Sequence, residues 1–302
     1  MESGMKTETG TKTRIGEDDF LLISGYQEIP EYRTGMSQLA EKVFGLEFET
    51  WYSLGYWTHR YCPYSLVRNN RIVANVSVNP MEFAVEGKRY RTLQIGTVMT
   101  DPDYRNKGLS RVLLECVLAE HKGKYDLIYL YANSSVREFY PRFGFEKTEE
   151  YIYSKTCTRK SGYHFRKLDG RSPENQKLLL RLLQNNVPSA KYTLVDNPYL
   201  PMFYLTSFLA ECIYYCEKLD LAAVVEYEKE SMTVNEIFST REFSLEEVIS
   251  CLLDQPERKV TLGFTPLDTA SFQCELLDTE DTFFVMGNNF IQKGGLPVLS
   301  HA

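Results

Sequence analysis

Arg105, Lys107, Gly108 and Ser110 fall within six residues, Arg105-Asn106-Lys107-Gly108-Leu109-Ser110. Two cations, a glycine and a small hydroxyl residue at this spacing can hold a polyanion. Before them, Leu93 to Met99 is apolar and β-branched and reads as a buried strand. Asp101-Pro102-Asp103 ends it, because proline donates no backbone hydrogen bond. After them, Leu109, Val112, Leu113, Cys116 and Val117 share one face of a helix. The order is strand, tight basic loop, helix. Gly108 lets the backbone turn, and the free amides and dipole of the helix start favour an anion. The chemistry indicated is the holding of a pyrophosphate. The spacing is neither the dinucleotide fingerprint G-x-G-x-x-G nor a P-loop.

The elements that follow narrow the reading. Gly123 and Lys124 precede a second buried strand, Leu127 to Ala132. Asn133-Ser134-Ser135 is positioned to cap a short helix with Val136, Phe139, Tyr140 and Phe143 on one face. Gly144 stops that helix, and a last strand is expected over 145–153. Arg105-x-x-Gly108-x-Ser110 resembles the acyl-CoA loop of the GNAT acetyltransferases, Gln/Arg-x-x-Gly-x-Gly/Ala, with serine as a mild departure at the third small position. Asn133-x-x-Val136-x-x-Phe139-Tyr140-x-x-Phe143-Gly144-Phe145 resembles the family's second signature, and Tyr140 to Phe145 is most similar to the bacterial enhanced-intracellular-survival branch. The resemblance covers residues 20–157.

It implies an acetyl-CoA-dependent N-acetyltransferase using direct transfer to a small amine. The backbone of Val98, Met99 and Thr100 would pair with the pantetheine arm. Arg105, Asn106, Lys107, Gly108, Leu109 and Ser110 would hold the pyrophosphate, and Asn133 the lower part of the cosubstrate. A backbone N–H near Val98 would polarise the thioester carbonyl, a contribution of about 3 kcal/mol. Tyr140 matches the family's acid. Full proton transfer from a phenol to the thiolate is uphill by about 2 kcal/mol, so a strong hydrogen bond serves as well. Freeing a lysine-like amine at neutral pH costs about 4.6 kcal/mol, so a base is needed. Many members carry a glutamate on the central strand; here that strand has Gln94 and no acid. His59, Glu47 and Glu49 remain as candidates through water. In the survival-protein branch the chain's last carboxylate does this work, which would require Leu296 to Ala302 to fold back into the cleft.

Trp51, Tyr52, Tyr56, Trp57 and Tyr61 crowd together after two expected helices within 36–68. Trp51, Tyr56, Trp57 and His59 are expected either as an aromatic wall for the acceptor, through cation–π contacts, or as core packing of helix on sheet.

The 302 residues, 43% hydrophobic and 25% charged, describe a globular chain of one large or two ordinary domains. A net charge of −7 argues against a nucleic-acid binder and suits a cationic acceptor. No apolar run approaches a membrane span and no signal segment opens the chain, so a cytoplasmic protein without membrane partners is expected. Seven scattered cysteines fit free thiols, and no metal site is expected. A homo-oligomer stays open.

Residues 1–19 are expected as a disordered leader, 20–157 as the GNAT domain, and 158–302 as a second α/β domain after the 158–162 linker. The first unit is expected as a mixed β-sheet flanked by helices. It includes a hairpin, Tyr64 to Val67 and Ile72 to Val78, then strands Met81 to Val85 and Tyr90 to Met99. In the second, Ser172-Pro173 starts a helix, Leu219 to Tyr227 and Met232 to Phe238 form a hairpin, and Ser244-x-x-Glu247 is a capping box. Lys259 to Phe264, Phe272 to Leu277 and Thr282 to Met286 read as strands. This order echoes the first unit and suggests a degenerate GNAT-like domain without a usable acyl-CoA loop; Gln292-x-x-Gly295 is the nearest match. A sterol-carrier-like domain is the alternative. Two other functions stay open: an acyl-CoA-binding regulatory module without transfer, and a protein-lysine acetyltransferase docking its partner through the second domain.

Overall fold

The computed structural model describes residues 10–301, which divide into two compact units. One comprises the chain to Pro80 together with Leu93–Leu130; the other comprises Met81–Thr92 and Tyr131–His301. Motifs divide the chain at residue 157. Packing divides it otherwise.

The first unit begins with β1 (Gly10–Ile15) and β2 (Asp18–Ser24), an antiparallel hairpin turned at Gly16. Residues 10–19, expected in a polar leader, are therefore ordered. Alternation of Thr, Lys and Arg satisfies an edge strand with one wet face, a pattern easily read as disorder. Residues 1–9 of that leader lie outside the described residues. Helix α1 (Pro30–Phe44) starts with proline at its first position and ends on left-handed Gly45; α2 (Glu49–Ser53) follows. β3 (Cys62–Arg68) and β4 (Arg71–Val85) form the expected hairpin, with Asn69 and Asn70 both at positive φ, as a two-residue turn requires. β4 is one strand through Pro80, not two. β5 (Lys88–Thr100), α3 (Leu109–His121) and β6 (Leu127–Ala132) complete the series, the tips of β4, β5 and β6 falling in the second unit. The strands lie in sequential order from β1 to β6.

In the second unit the expected strand over 145–153 is two strands. β7 (Glu146–Thr148) and β8 (Tyr151–Thr158) belong to different sheets, and Glu149-Glu150 is the crossing between them. Then come β9 (Arg166–Leu168), α4 (Pro173–Gln184), β10 (Thr193–Val195), α5 (Tyr199–Thr206), β11 (Ile213–Cys216), β12 (Leu221–Tyr227) and β13 (Ser231–Ser239). α6 (Leu245–Leu252), β14 (Glu257–Leu262), β15 (Gln273–Leu276) and β16 (Thr282–Gly287) follow. The sheet order is β15-β8-β14-β13-β12-β11-β9, antiparallel except β13 against β14, which α6 connects. Ser244 Oγ accepts from Glu247 N at 3.4 Å, as the capping box predicts, whereas Ser172 makes no side-chain cap. β16 pairs antiparallel with β7, and β10 with the tip of β4. Among the described residues no helix is long and apolar enough to cross a membrane.

β13 carries a buried acid, Glu236, whose carboxyl is pushed up to about 8 by burial, with Ile237 N–H partly opposing. The folded protein keeps a proton that the unfolded chain releases near pH 4.5. Stability therefore falls as pH rises from about 4.5 to about 8. Glu236→Gln is expected to flatten this fall and to raise unfolding free energy at about pH 9 by roughly 5 kcal/mol, read by urea denaturation at several pH values. An equal slope in both proteins removes Glu236 as its source.

Candidate active site

The centre of the first unit's site is an irregularity in β5. Thr97 lies inside the strand with φ +44°, a conformation that β-branched residues avoid. A buried polar network holds it there. Asn75 Nδ2 donates to Thr97 O at 3.0 Å and to Ser77 Oγ at 2.9 Å. Asn75 Oδ1 accepts from Ser65 Oγ at 2.8 Å, and Ser65 in turn meets the Tyr26 hydroxyl at 2.5 Å. The Tyr61 hydroxyl is hydrogen-bonded to Thr97 Oγ1. Asn75, Ser65 and Ser77 are fully buried on the apolar strands β3 and β4. Burial, partly offset by Ser77 and Thr97, pushes the Tyr61 phenol up to about 12, and burial raises Tyr26 too, so both are neutral donors. Val98, Met99 and Thr100 follow the irregularity; Met99 is buried and the other two half-buried.

Asp101 anchors the next turn. Its carboxylate is 3% exposed, takes Lys42 Nζ at 3.0 and 3.1 Å and Asp103 N at 3.1 Å, and has Arg71 at 3.6 Å. Burial opposes its charge, but these partners outweigh burial and hold the carboxyl below its ordinary value. Pro102 to Tyr104 form one 3-10 turn. Arg105, Asn106, Lys107 and Gly108 are then exposed, with Asn106 (φ +62°) and Gly108 (φ +76°) both left-handed. Gly108 is the N-cap of α3, and a Cβ there would meet nothing within 4 Å. The helix start opens onto space beside two cations, as an anion site must. Lys107 Nζ rests 3.3 Å from Asp18 and over the Tyr104 ring. Leu109 is buried in the helix face. Ser110 Oγ bonds Thr100 Oγ1 at 2.7 Å, which gives the serine a local purpose: it ties the strand end to the helix start.

The two motif residues beyond β6 belong to the second unit. Asn133 is exposed, and its side chain accepts from Ser135 N at 3.1 Å and Ser135 Oγ at 2.6 Å. Instead of one short helix, the segment makes two 3-10 turns, Ser134–Val136 and Tyr140–Phe143, because Pro141 supplies no donor for a continuous helix. Tyr140 is 4% exposed and packs against Phe139, Phe145 and Phe284. Burial raises its pKa, so the phenol stays protonated.

The aromatic cluster is core. Trp51, Tyr56 and Trp57 are all buried. Trp51 stacks on Trp57 at 6.0 Å, and Trp57 Nε1 donates to Tyr61 O at 2.9 Å. Of the two readings of this cluster, burial and ring-on-ring packing favour the core one for Trp51 and Trp57, and burial favours it for Tyr56. His59 is exposed. Glu47 accepts the Thr50 amide at the start of α2, and Glu49 is paired with Arg33 at 2.9 Å, so both carboxylates have structural partners. Ala302 lies outside the described residues.

Sequence reasoning missed the clamp on Thr97 and the anchor Asp101. Their signals were polar Asn75 and Ser77 inside the apolar run Ile72 to Val78, and an acid directly after a buried strand.

Residues 31–148 match the model of a family described as the acetyltransferase (GNAT) domain. No curated protein matches the sequence. Among solved structures, the fold is similar to a conserved protein of unknown function from Enterococcus faecalis V583, titled a probable N-acyltransferase. The TM-score is 0.59 at 15% identity over 91% of this chain and 72% of that one. It is similar to Eis1 from Mycobacterium abscessus (TM-score 0.57, 12% identity, 84% and 70% covered). It is also similar to a GCN5-related N-acetyltransferase from Kribbella flavida (TM-score 0.55, 18% identity, 90% and 72% covered). Such identities speak for the fold; the motif loop and the family match speak for the chemistry. Residues 31–148 are a GNAT acetyltransferase domain.

Proposed function

We propose that the protein transfers an acetyl group from acetyl-CoA directly to a small amine. The observation that carries this reading is the open N-terminus of α3, capped by left-handed Gly108 beside Arg105 and Lys107, directly after a strand with an internal left-handed residue. Open space over Gly108 suits a pyrophosphate. The amides of that turn bind it, and Lys107 exchanges its contact with Asp18 for a phosphate oxygen. Val98 to Thr100 pair with the pantetheine arm, and a backbone N–H at Val98 receives the negative charge that develops on the thioester oxygen. Asn133 contacts the lower part of the cosubstrate. The amine nitrogen attacks the carbonyl carbon, the carbon–sulfur bond breaks, and Tyr140 stabilises the departing sulfur. Because burial raises the Tyr140 pKa, a hydrogen bond to sulfur is its role, with the proton following from solvent.

The test is thiol release from acetyl-CoA against small amines, aminoglycosides, polyamines and lysine peptides. Release with one class supports the reading and names the acceptor. Tight acetyl-CoA binding with no release from any acceptor overturns it in favour of a binding module. Tyr140→Phe is expected to lower kcat about 10- to 100-fold with acetyl-CoA affinity unchanged. An unchanged kcat removes Tyr140 from the chemistry.

A further inference from the structure

The second unit contains a small cavity of about 30 Å3, and its whole lining falls within residues 183–300, inside that unit. The buried acid Glu236 is part of that lining. Its direction follows from an irregularity in β13. Val224 and Val225 of β12 pair with Glu236 and Val234, which leaves Asn235 as an extra residue, a β-bulge. Asn235 Nδ2 donates to Glu226 Oε2 at 2.6 Å. After the bulge, Glu236 and Phe238 face the cavity, while Ile237 joins the apolar cluster that holds Val248 and Ile249 of α6. Glu236 is 8% exposed. The Ile237 N–H is its partner, and among the described residues no side chain pairs with it.

The walls of the cavity are fixed and rich in acceptors. Asn186 Oδ1 accepts Ser239 N at 2.9 Å, and Val187 N donates to Ser239 O at 2.8 Å, so the chain after α4 is tied to the end of β13. Ser189 Oγ donates to Ile237 O at 3.4 Å and Thr193 Oγ1 to Ala190 O at 2.9 Å. A hydroxyl has one hydrogen, so both of these offer the cavity lone pairs. The lining carries the carboxyls of Glu236 and Asp196 and no Lys, Arg or His. A buried carboxylate with no cation against it is costly. The group that this cavity lacks is therefore a positive charge that donates hydrogens. Its volume admits about two water-sized groups, at roughly 10–15 Å3 each.

We propose that this cavity binds a primary ammonium group, the head of a small alkylamine, against the Glu236 carboxylate. One N–H of the ligand points to that carboxylate and the others to hydroxyl oxygens of the wall, while Phe238 and Leu183 receive the first carbon of the stem. Burial pushes the Glu236 carboxyl up to about 8, so in the empty cavity at neutral pH it holds a proton. The ligand arrives already charged, the carboxyl releases its proton to water, and no covalent bond changes. Binding therefore tightens as pH rises, about 10-fold between pH 7 and pH 9, as the carboxyl ionises. Asp196 is the other charged group of the lining; α4, α5 and the turn Val298–Ser300 present Leu183, Pro201 and Leu299 there, which carry no charge.

The experiment is the melting temperature of the full chain titrated with methylammonium chloride at pH 7 and pH 9, with sodium chloride holding ionic strength constant. Tetramethylammonium has the same charge but no N–H and more bulk; potassium has the charge alone. Two heavy atoms support a dissociation constant on the order of 10 mM. At 100 mM and pH 9 the parent is expected to gain about 3 °C, and at pH 7 about 1 °C. Glu236→Gln keeps the side-chain shape and is expected to gain less than about 1 °C at either pH, as is the parent with tetramethylammonium or potassium. No gain in the parent at pH 9 shows a cavity that holds water alone and overturns the proposal. An equal gain with potassium or tetramethylammonium overturns the ammonium assignment, and a parent-like gain in Glu236→Gln overturns the part given to Glu236.

Discussion

Gly108→Asp is expected to abolish useful acetyl-CoA binding while leaving the fold as stable as before. The two effects have opposite signs at one atom position. Gly108 is left-handed, a conformation aspartate tolerates at about 1 kcal/mol, and its Cβ direction is empty. A carboxylate at the start of α3 gains about 0.3–1 kcal/mol from the helix dipole, which offsets that strain. The same carboxylate then occupies the place of the pyrophosphate. Two like charges about 4 Å apart near a protein surface repel by about 4 kcal/mol, and the amides lose access to the ligand. The dissociation constant should rise at least about 100-fold by calorimetric titration, with the melting temperature within about 3 °C of the parent. Gly108→Asn separates charge from bulk and should lose far less. Parent-like affinity in the Asp variant would show that the pyrophosphate is held elsewhere.

This loop is the part of the site most legible in the sequence, and the reason is local. A glycine at a helix start, cations beside it and a proline-broken strand before it depend on backbone rules that act over a few residues. The hairpin around Asn69-Asn70 and the box at Ser244 are legible on the same ground. Features that depend on distant partners are not. The run from Phe145 to Tyr153 contains no glycine or proline to mark a break, so nothing in it announces that the chain changes sheets at Glu149-Glu150. Helix α5 carries Pro201 within it, which speaks against a helix until burial of Leu200, Met202 and Leu205 decides the matter. Trp51, Tyr56 and Trp57 have the composition of a ligand wall and of a core alike, and only their mutual packing distinguishes the two. Thr97 is the extreme case: its side chain argues for a regular strand, and its conformation is imposed by Asn75 and Tyr61 from 22 and 36 positions away.

That imposition makes Asn75→Leu the second large prediction. Leucine has the branched heavy-atom shape of asparagine and is bulkier, so no cavity opens, but Thr97 O, Ser65 Oγ and Ser77 Oγ each lose a buried partner. Each unsatisfied group costs about 1–3 kcal/mol. Release of Thr97 from its left-handed state returns about 1–3 kcal/mol. A net loss of about 3 kcal/mol in urea denaturation is expected, which a protein of ordinary stability survives. The functional loss follows from strand parity. Once Thr97 relaxes to extended backbone, the residues after it shift face, because side chains alternate along a strand. Met99 leaves the core, and the amide at Val98 no longer points where the thioester oxygen develops charge. Loss of one such donor corresponds to about 100- to 1,000-fold in kcat. Thr97→Gly is the counterpart: it accepts positive φ without strain, keeps the Asn75 bond to the backbone, and should retain kcat within about 3-fold despite losing the Tyr61 contact. A folded Asn75→Leu protein that turns over at the parent rate would show that the left-handed residue in β5 is a packing feature, and the oxyanion donor would then have to be sought at another amide.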